Sequence, residues 1–383
     1  MLISIFILPY GAILIVMSHI AIDARIINSS TGTYVERLLH YLQQVDKINK
    51  YSVLVRAKDK DFWKPTSDNF IVRVADFDNY SWAEQTEFKS FLNELSPDLV
   101  HFCMPQQPVF YRGLHVTTFH DLTLLKTYNS DKNWLVYHFK QFVGKFVFKH
   151  VLRSSKFILT PSKYTKFELL KLVNIPADKI AVTPLSADVF IDEMAPFSHP
   201  FKQYILYVGQ QSDYKNIRRL GDASQKLLIK YPELGLILVG RMNASASNNQ
   251  SYFTEKGYHN IQFTGYLPNS QRDWLYTNTA AYVFPSTMEG FGLPGLEAMG
   301  YGAAVVSSNA TCLPEVYGDA AHYFDPFDTD DMARAIDEVL SDEKLRKDLI
   351  SYGYRQIAKY SWLRTAKQTY GVYMEALRVV DGR

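Results

Sequence analysis

The stretch PSTMEGFGLPGLEAMGYGAAVVSS, residues 285–308, follows the apolar run AAYVFPS and has the pattern of a strand, a glycine-bearing loop and a helix. Pro294 stands where the helix would begin, because the fixed φ of proline suits the first helical position. The amides of Phe291, Gly292 and Leu293 would then be free at a helix N-terminus, which is a site for an anion and is best suited to a phosphate. The stretch therefore predicts one strand–loop–helix unit of an α/β domain.

Two glutamates lie beside this predicted anion site. Glu289 falls in the loop before the helix, and Glu297 is expected inside its first turn. One carboxylate would hold a sugar hydroxyl and the other a ribose. The spacing by itself indicates no more than a capped helix with two solvated glutamates.

Outward from this stretch, apolar strand-like runs alternate with stretches compatible with helices. The first series is HIAIDAR, YSVLVRA, NFIVRVA, DLVHFC, HVTTFHD, KFILTPS and IAVTPL, with a helix from about Thr33 after the first run, and the second series is QYILYVG, LGLILVG, NIQFTG, AAYVFPS, AAVVSS and AAHYFDP. Such alternation is typical of parallel sheets wrapped by helices. Between the two series, residues 190–201 contain two prolines and indicate a linker.

The fold class is therefore α/β, with two doubly wound, Rossmann-like domains that face one another across a cleft. The N-terminal domain is expected over residues 17–189 and the C-terminal domain over residues 202–360. Residues 361–383 are predicted as a C-terminal helix that crosses back to the N-terminal domain. Ligands are expected at the carboxyl ends of the strands.

Composition places the 383-residue chain among globular proteins, since 47% of its residues are hydrophobic and 21% are charged. The net charge of +2 provides no global basic field that would favour nucleic acid. Cys103 and Cys312 are too few for a disulfide framework or a cysteine zinc site. A reducing compartment, the cytoplasm, is expected.

Residues 1–16 need separate treatment, because LISIFILPYGAILIV is apolar and uncharged. Three interpretations stay open: an over-extended start with Met17 as the true initiator, a membrane-associating N-terminus, or a cleaved signal peptide. No basic residue precedes the run, which disfavours the signal peptide. The alternating SHIAIDAR that follows Met17 indicates the first strand of a globular domain.

The block that begins at Glu289 resembles the signature of the family 4 retaining glycosyltransferases, whose pattern is close to EGFGLPxLEAMAxGxPVVxS. Further matches follow the family's order: IAIDAR with TGTYVERLL, HDL, YVG with KN, SNATCLPEVYGDAA and YSW. They cover nearly all of the chain after Met17. The resemblance implies the GT-B fold, with a nucleotide sugar held mainly by the C-terminal domain.

The resemblance assigns phosphate contacts to the loops after two strands. Lys215 would neutralise a diphosphate, although an exposed lysine near a helix start is the simpler alternative. The family often has an arginine directly after Gly209, whereas this chain has Gln210 there. Arg241, which follows the next glycine-ended strand, is a substitute for that arginine.

Two further positions come from the N-terminal half. His120 ends the run HVTTFHD, and the equivalent histidine of the family contacts the donor sugar near the reacting centre. A histidine at a strand end is otherwise more often structural. Gly32 precedes the first helix, and its amide would contact phosphate or the acceptor.

The resemblance implies a retaining glycosyltransferase of polysaccharide or glycan synthesis that moves a sugar from a nucleotide diphosphate donor to a glycan or lipid-linked acceptor. Glu289 would orient donor sugar hydroxyls, and Glu297 would bind the ribose. The wording around GFGLP and SNATCLPEV is similar to mannosyl- and rhamnosyl-type transferases, which favours a GDP-mannose-like donor over a UDP-sugar. An epimerase or phosphorylase of GT-B type and a non-catalytic nucleotide-sugar-binding homologue are the alternatives.

Metal chemistry has little support, and no cofactor is expected. Three scattered D-x-D matches, at residues 59–61, 76–78 and 328–330, argue for chance. Asp328 and Thr329 are better interpreted as capping residues of a helix.

Residues 134–156, WLVYHFKQFVGKFVFKHVLRSSK, contain five basic residues and no acid. Lys145, Lys149 and Arg153 recur at i, i+4 and i+8, which places them along one helical face. Such a helix would rest on the anionic inner face of the cell membrane. Burial of its aromatic face in the N-terminal domain is the compatible alternative.

Overall fold

Parallel β-sheets form the centres of the two units into which the chain divides. The structure is a computed structural model that describes residues 5–7, 13–15, 17–29, 31–126, 134–189 and 194–381. The N-terminal unit comprises residues 1–122, 139–185 and 362–383, and the C-terminal unit comprises residues 123–138 and 186–361. None of the described helices is both long enough and apolar enough to cross a membrane.

Strands β1 (Ile5–Ile7) and β2 (Ile13–Ile15) pair antiparallel with each other. The rest of residues 1–16 lies outside the described residues, so the three interpretations of that segment stay predictions. Seven further strands of the described chain form the parallel sheet of the N-terminal unit, in the order β5-β4-β3-β6-β7-β8-β9. They are β3 (His19–Asp23), β4 (Lys50–Val55), β5 (Phe70–Val74), β6 (Leu99–Phe102), β7 (His115–Thr118), β8 (Phe157–Thr160) and β9 (Ile180–Val182).

Six described strands form the parallel sheet of the C-terminal unit, in the order β12-β11-β10-β13-β14-β15. They are β10 (Gln203–Val208), β11 (Leu234–Val239), β12 (Ile261–Gly265), β13 (Ala281–Phe284), β14 (Val305–Ser308) and β15 (Ala321–Phe324). The chain runs from β10 outward to β12 and then returns to the other side of β10. The strand order therefore reverses between β10 and β13, which is where doubly wound sheets bind ligands.

Helices connect these strands and cover the sheets. They are α1 (Gly32–Val45), α2 (Lys89–Leu95), α3 (Thr123–Lys126), α4 (Trp134–Ser154), α5 (Lys163–Leu172), α6 (Ile217–Leu227), α7 (Ala244–Glu255), α8 (Asn269–Asn278), α9 (Leu293–Gly300), α10 (Leu313–Tyr317), α11 (Thr329–Ser341), α12 (Glu343–Ile357) and α13 (Trp362–Asp381). Asp328 caps α11, because its side chain accepts from the amides of Asp330 and Asp331, and the predicted cap is confirmed.

The predicted α/β class is confirmed, and each of the thirteen runs beyond Met17 contains a strand. Every residue of β11 is buried, which is the continuous apolar pattern of a parallel strand that is covered on both faces. Within the predicted linker, residues 190–193 lie outside the described residues.

Helix α13 belongs to the N-terminal unit and packs against α1. The Thr365 hydroxyl donates to the Pro184 carbonyl at 2.5 Å. Residues 186–361 of the C-terminal unit are therefore enclosed in sequence by two parts of the N-terminal unit, residues 139–185 and 362–383.

Candidate active site

The loop that follows β10 ends in a 3₁₀ turn, Asp213–Lys215, directly before α6. Asn216 joins the turn to the helix with a left-handed φ of 61°, a conformation that asparagine tolerates. Its buried side-chain amide donates to the carbonyls of Pro285, at 3.1 Å, and Pro326, at 2.7 Å. These bonds hold Lys215 beside the loop that follows β13.

Lys215 and Glu289 form an ion pair, with 2.5 Å between Nζ and Oε1 and with each side chain 13% exposed. The Lys215 ammonium also lies 5.1 Å from the ring centroid of Tyr214 and 5.4 Å from that of Phe284. Burial by itself would lower the pKa of Lys215, but the Glu289 carboxylate outweighs burial and raises that pKa above its usual value. The site therefore holds a permanent cation beside a carboxylate.

The loop that carries Glu289 is held by its neighbours. The Glu289 amide donates to Thr311 Oγ1 at 3.2 Å, and the Cys312 thiol donates to the Glu289 carbonyl at 3.4 Å. The Thr287 amide donates to the Tyr214 carbonyl at 2.8 Å, which ties this loop to the turn before Lys215. Hydrogen bonds therefore hold the backbone that carries Glu289 and join it to the turn that carries Lys215.

Helix α9 begins at Leu293, with Pro294 as its second residue, close to the predicted start. Gly292 caps the helix with a φ of 92°, and a Cβ there would lie 2.5 Å from Tyr317 Oη, so glycine is required. The N–H groups of Phe291, Gly292 and Leu293 make no hydrogen bond to any described residue. The Phe291 ring is buried edge-on against Tyr360, so Phe291 presents only its backbone.

Glu297 lies in the second turn of α9, so the prediction that placed it in the first turn is wrong. The helix begins one residue before Pro294, which moves Glu297 beyond the first four helical positions. The Tyr276 hydroxyl donates to Glu297 Oε2 at 3.4 Å. Burial raises the pKa of Glu297, and the nearby Arg272 guanidinium opposes that effect.

Gly209, Gln210 and Arg241 lie at the carboxyl ends of the neighbouring strands β10 and β11. A Cβ at Gly240 would collide with the Gly209 carbonyl, which explains the glycine before Arg241. Gln210 is exposed, and its carbonyl accepts from Tyr207 Oη at 2.5 Å. The exposed Arg241 guanidinium lies 5.7 Å from the ring centroid of Tyr266 and makes no ion pair with any described residue.

His120 follows the end of β7 in the N-terminal unit. Its Nε2–H donates to the Cys103 carbonyl at 2.8 Å, and its ring packs edge-on against Tyr34 with 4.7 Å between centroids. Because a carbonyl only accepts, Nε2 holds the proton and Nδ1 keeps its lone pair. Burial lowers the pKa of His120, with the Cys103 carbonyl opposing it, so the ring is mainly neutral at pH 7.

A chain of buried hydrogen bonds lies behind Tyr34. Tyr34 Oη lies 2.9 Å from Thr118 Oγ1, which in turn lies 2.8 Å from His101 Nε2. His101 Nδ1 lies 2.6 Å from Tyr373 Oη on α13. Burial lowers the pKa of His101 to about 3. We call these four residues the Tyr34–Tyr373 chain.

Gly32 does not have the free amide that the sequence predicted. Its N–H donates to the Ser29 carbonyl at 3.0 Å, and a Cβ at this position would collide with the Ile27 carbonyl. Close packing at the start of α1 therefore explains this glycine, and its amide is already engaged.

Two family models match the chain and divide it between them. Residues 31–189 match Glycosyltransferase Family 4, and residues 193–356 match Glycosyl transferases group 1. The O-antigen chain mannosyltransferase B of Escherichia coli is 34% identical over 276 residues, which is 67% of this chain and 69% of that protein. This chain belongs to glycosyltransferase family 4. It is a glycosyltransferase.

Two other proteins are similar to this glycosyltransferase, one in sequence and one in structure. The serotype-specific mannosyltransferase WbdA of Escherichia coli is 32% identical over 216 residues, which is 53% of this chain but only 26% of that longer protein. Sucrose-phosphate synthase from Thermosynechococcus elongatus has 17% sequence identity and a TM-score of 0.75, covering 94% of this chain and 100% of the synthase chain. The expected GT-B fold is confirmed.

No group of three or more histidine, cysteine or acidic residues within the described part of the glycosyltransferase is arranged to hold a metal ion. All three D-x-D matches have other partners, and Asp59 of the first accepts from the Asn28 side-chain amide at 3.0 Å. Asp76 and Asp78 both pair with Arg56, and Asp328 caps α11.

Helix α4 of the glycosyltransferase has a buried apolar face and an exposed basic face. Phe148, Val151 and Leu152 are buried, and the Phe148 ring packs on Phe119 with 5.2 Å between centroids. The exposed side chains of the described part include Lys145, Phe146, Lys149 and Arg153, and the three basic ones make no ion pair with any described residue.

One residue beside the site carried no signal in the sequence. Gln211, which follows Gln210, is buried, and neither polar atom of its side chain has a partner among the described residues. Its carbonyl accepts from the Asn249 side chain at 3.2 Å. A glutamine in a loop is ordinarily exposed, so only tertiary structure reveals it.

Proposed function

We propose that this enzyme is a retaining, metal-independent glycosyltransferase that moves a hexose from a nucleoside diphosphate sugar to a hydroxyl of a glycan or lipid-linked acceptor. The observation that carries the proposal is the Lys215–Glu289 pair beside the free amides at the start of α9. A buried cation and helix amides suit a diphosphate, and a carboxylate at the same place suits sugar hydroxyls.

The chemistry follows from where charge develops. As the bond between sugar and phosphate breaks, the diphosphate gains negative charge and the sugar becomes cation-like. Lys215 and the amides of Gly292 and Leu293 stabilise the leaving group more in the transition state than in the ground state. Arg241 supplies further positive charge. It substitutes for the arginine that the family often has at the position of Gln210.

Other groups hold the donor and handle its protons. Glu289 accepts hydrogen bonds from sugar hydroxyls, and Glu297 accepts them from the ribose. His120 contacts the donor sugar, with the lone pair of Nδ1 as an acceptor. The acceptor oxygen bonds to the anomeric carbon from the face that the diphosphate leaves, and the leaving phosphate takes the acceptor proton, so retention requires no enzyme nucleophile or base.

We propose GDP-mannose as the donor and a bacterial polysaccharide as the product. The support comes from the relatives, since both reported Escherichia coli proteins are named mannosyltransferases and one is named for the O-antigen chain.

A thermal-unfolding screen across nucleotide sugars tests the donor. A ligand at 100 times its dissociation constant stabilises the folded protein by roughly 2.7 kcal/mol, which raises the melting temperature. GDP-mannose is expected to give the largest shift, and NMR of the product is expected to show a retained anomeric configuration. A larger shift with UDP-sugars would reject this donor, and an inverted product would reject retention.

We also propose that α4 contacts the cytoplasmic face of an anionic membrane. Its support is the row of basic side chains at Lys145, Lys149 and Arg153, which pair with no acid among the described residues, beside Phe146, which is 58% exposed. Each basic residue near such a surface contributes about 1 kcal/mol. The exposed ring adds apolar contact at the interface.

Vesicle sedimentation of the full chain tests this contact. Changing Lys145, Lys149 and Arg153 to glutamine is expected to weaken binding to vesicles that contain phosphatidylglycerol by about tenfold or more. High salt is expected to weaken binding of the unchanged protein. The matched control changes Lys202, Lys344 and Lys347, which are exposed and paired with acids, to glutamine.

A fluorescent label separates α4 from the apolar N-terminal residues. Cys103 and Cys312 are buried, so an introduced surface cysteine reacts selectively. The fluorescence emission of a label at Val143→Cys is expected to shift to the blue when anionic vesicles are added. The emission of a label at Ile229→Cys is expected to stay unchanged. Binding without any shift at residue 143, or equal loss in both glutamine variants, contradicts the proposal.

A further inference from the structure

The loop that follows β5 exposes two large aromatic side chains. It comprises residues 75–88, ADFDNYSWAEQTEF, which we call the aromatic loop. Trp82 is 81% exposed and Tyr80 is 67% exposed. The loop leaves the carboxyl end of its strand, which is the edge at which open α/β sheets bind ligands.

Buried ion pairs tie the aromatic loop to the sheet. Arg25, just beyond the end of β3, donates to Asp23 from Nε and Nη2, at 2.8 Å each, and to Glu84 Oε1 at 2.9 Å. Its Nη1 also donates to the Phe77 carbonyl at 3.1 Å. All three charged side chains are almost fully buried. Removing one partner would leave buried charge uncompensated, so the loop is held to this arrangement.

The aromatic loop is also joined to the loop that follows β6. Gln85 Nε2 donates to the Gln107 carbonyl at 3.2 Å, and Gln85 Oε1 accepts from the Val109 amide at 2.8 Å. Glu84 begins a π-helical turn, Glu84–Phe88, a form that frequently occurs at functional sites. Tyr80 has a φ of 64°, which is uncommon for a tyrosine. The two rings are therefore displayed by an ordered backbone.

The charges of the aromatic loop select among ligands. Residues 75–88 contain four acidic residues and no lysine or arginine. Arg25 pairs with Glu84 and Asp23, and Arg56 pairs with Asp76 and Asp78, so each cluster keeps one excess negative charge. An anionic membrane would therefore be repelled here, in contrast to the basic face of α4. Tyrosine and tryptophan offer an apolar face together with a hydrogen-bonding tip. The C–H face of a pyranose packs on such rings, and nearby carboxylates such as that of Asp78 accept hydrogen bonds from its hydroxyls.

We propose that Tyr80 and Trp82 form a subsite for a neutral pyranose of the acceptor glycan. This assignment rests on the proposed function only in calling the sugar part of the acceptor. The binding of the sugar itself is measurable without catalysis. Because the loop is already ordered, little conformational entropy is lost when the sugar binds.

Saturation-transfer NMR on the full chain measures the binding. The probes are the methyl glycosides of mannose, glucose, galactose and N-acetylglucosamine. Saturable binding to at least one is expected, and Trp82→Ala is expected to raise its Kd by about tenfold, in line with the usual energy of ring stacking. Trp82→Phe keeps a ring and is expected to retain binding.

Phe62→Ala is the matched control, because Phe62 is also an exposed aromatic residue of the N-terminal unit but lies outside the aromatic loop. It is expected to leave binding unchanged. The subsite is rejected if no glycoside binds in a manner that depends on Trp82, or if Trp82→Ala instead removes binding to phosphatidylcholine vesicles.

Donor turnover separates this subsite from the proposed function. Transfer to the bound glycoside is expected to fall in Trp82→Ala and to be unchanged in Phe62→Ala, and hydrolysis of the nucleotide sugar without added acceptor is measured in the unchanged enzyme. If the unchanged enzyme turns over no nucleotide sugar, the proposed function fails, and the NMR titration still decides whether the subsite exists.

Discussion

Glu289 and Lys215 neutralise one another in the absence of a donor. In the proposed function, the donor diphosphate competes for the Lys215 ammonium, which would then have two acceptors in place of one. We therefore expect Glu289→Gln to bind the bare nucleoside diphosphate at least as tightly as the unchanged enzyme, since Lys215 loses its internal partner. Turnover is expected to fall by about 100-fold, because a charge that acts on the reacting sugar is removed.

Calorimetry and initial rates measure these two effects. Glu233→Gln, an exposed glutamate paired with Lys202, is the control and is expected to change neither. Unchanged turnover in Glu289→Gln would remove Glu289 from the catalytic groups.

Glu297 has a separate role in the proposal. Glu297→Ala is expected to weaken the binding of the bare nucleoside diphosphate by about tenfold, which is the loss expected when hydrogen bonds to a charged group are removed. The raised pKa adds a pH dependence, because the carboxyl takes up its proton at a higher pH than an ordinary glutamate. Affinity is therefore expected to decline as pH falls, earlier than in Glu297→Gln, which has no proton to gain. An affinity that is unchanged in Glu297→Ala shows that the ribose is held elsewhere.

In the proposed phosphate site, the positive charge comes from two secondary-structure elements and not from a single residue. The start of α9 and the turn before α6 together present amides and an ammonium, so sugar transfer is expected to continue in excess EDTA after metal-free purification. Transfer rates with and without added magnesium or manganese check this. Complete loss in EDTA, with recovery on adding either ion, would overturn metal independence.

Helix α13 supports the neighbourhood of His120 through the Tyr34–Tyr373 chain. Tyr373→Phe leaves His101 Nδ1 buried without a partner, so we expect a loss of about 1–3 kcal/mol in unfolding free energy and a lower turnover. Tyr370→Phe alters the same helix outside the chain and is the control. A shift in the histidine NMR signals of Tyr373→Phe, absent from the control, would show that the hydrogen bonds reach the site. Equal effects in both variants would leave α13 with a packing role only.

The sequence pattern was sufficient to predict the strands and helices, but it was insufficient to predict which of their residues are in contact. Alternating apolar runs located the strands, because a parallel strand must be apolar over several residues wherever it is buried. Pro294 located the start of α9 to within one residue through the fixed φ of proline. The Lys215–Glu289 pair joins residues 74 positions apart, and His101 and Tyr373 are 272 apart. No local spacing encodes such distances. The engaged amide of Gly32 was missed for a different reason: its acceptor, the Ser29 carbonyl, is close in sequence, but the apolar pattern does not predict the turn that brings the two together.

The whole molecule should lose stability as the pH falls below neutrality. His101 has a pKa of about 3 in the folded state, against about 6.5 in an unfolded chain. Between these values the unfolded chain binds a proton that the folded chain does not, so the unfolding free energy falls as pH is lowered through this range, by about 1.4 kcal/mol per pH unit for one such group. Burial lowers the pKa of His115 and of His120 as well, in the same direction.

Denaturant unfolding at pH 7, 6 and 5 measures this slope. His101→Gln is expected to make it shallower, since one of the titrating groups is gone. A slope that is equal in the variant and the unchanged protein would show that His101 takes up its proton in the folded state.

The position of α13 also determines the order in which the protein is completed during synthesis. The N-terminal unit needs residues 362–381, yet the ribosome makes residues 186–361 first, which takes roughly 10 to 35 seconds at usual elongation rates. Throughout that time α1 lacks its neighbouring helix and His101 lacks Tyr373. The N-terminal unit therefore gains α13 only after residues 186–361 have been made, and the face of α1 that packs against α13 stays uncovered until then.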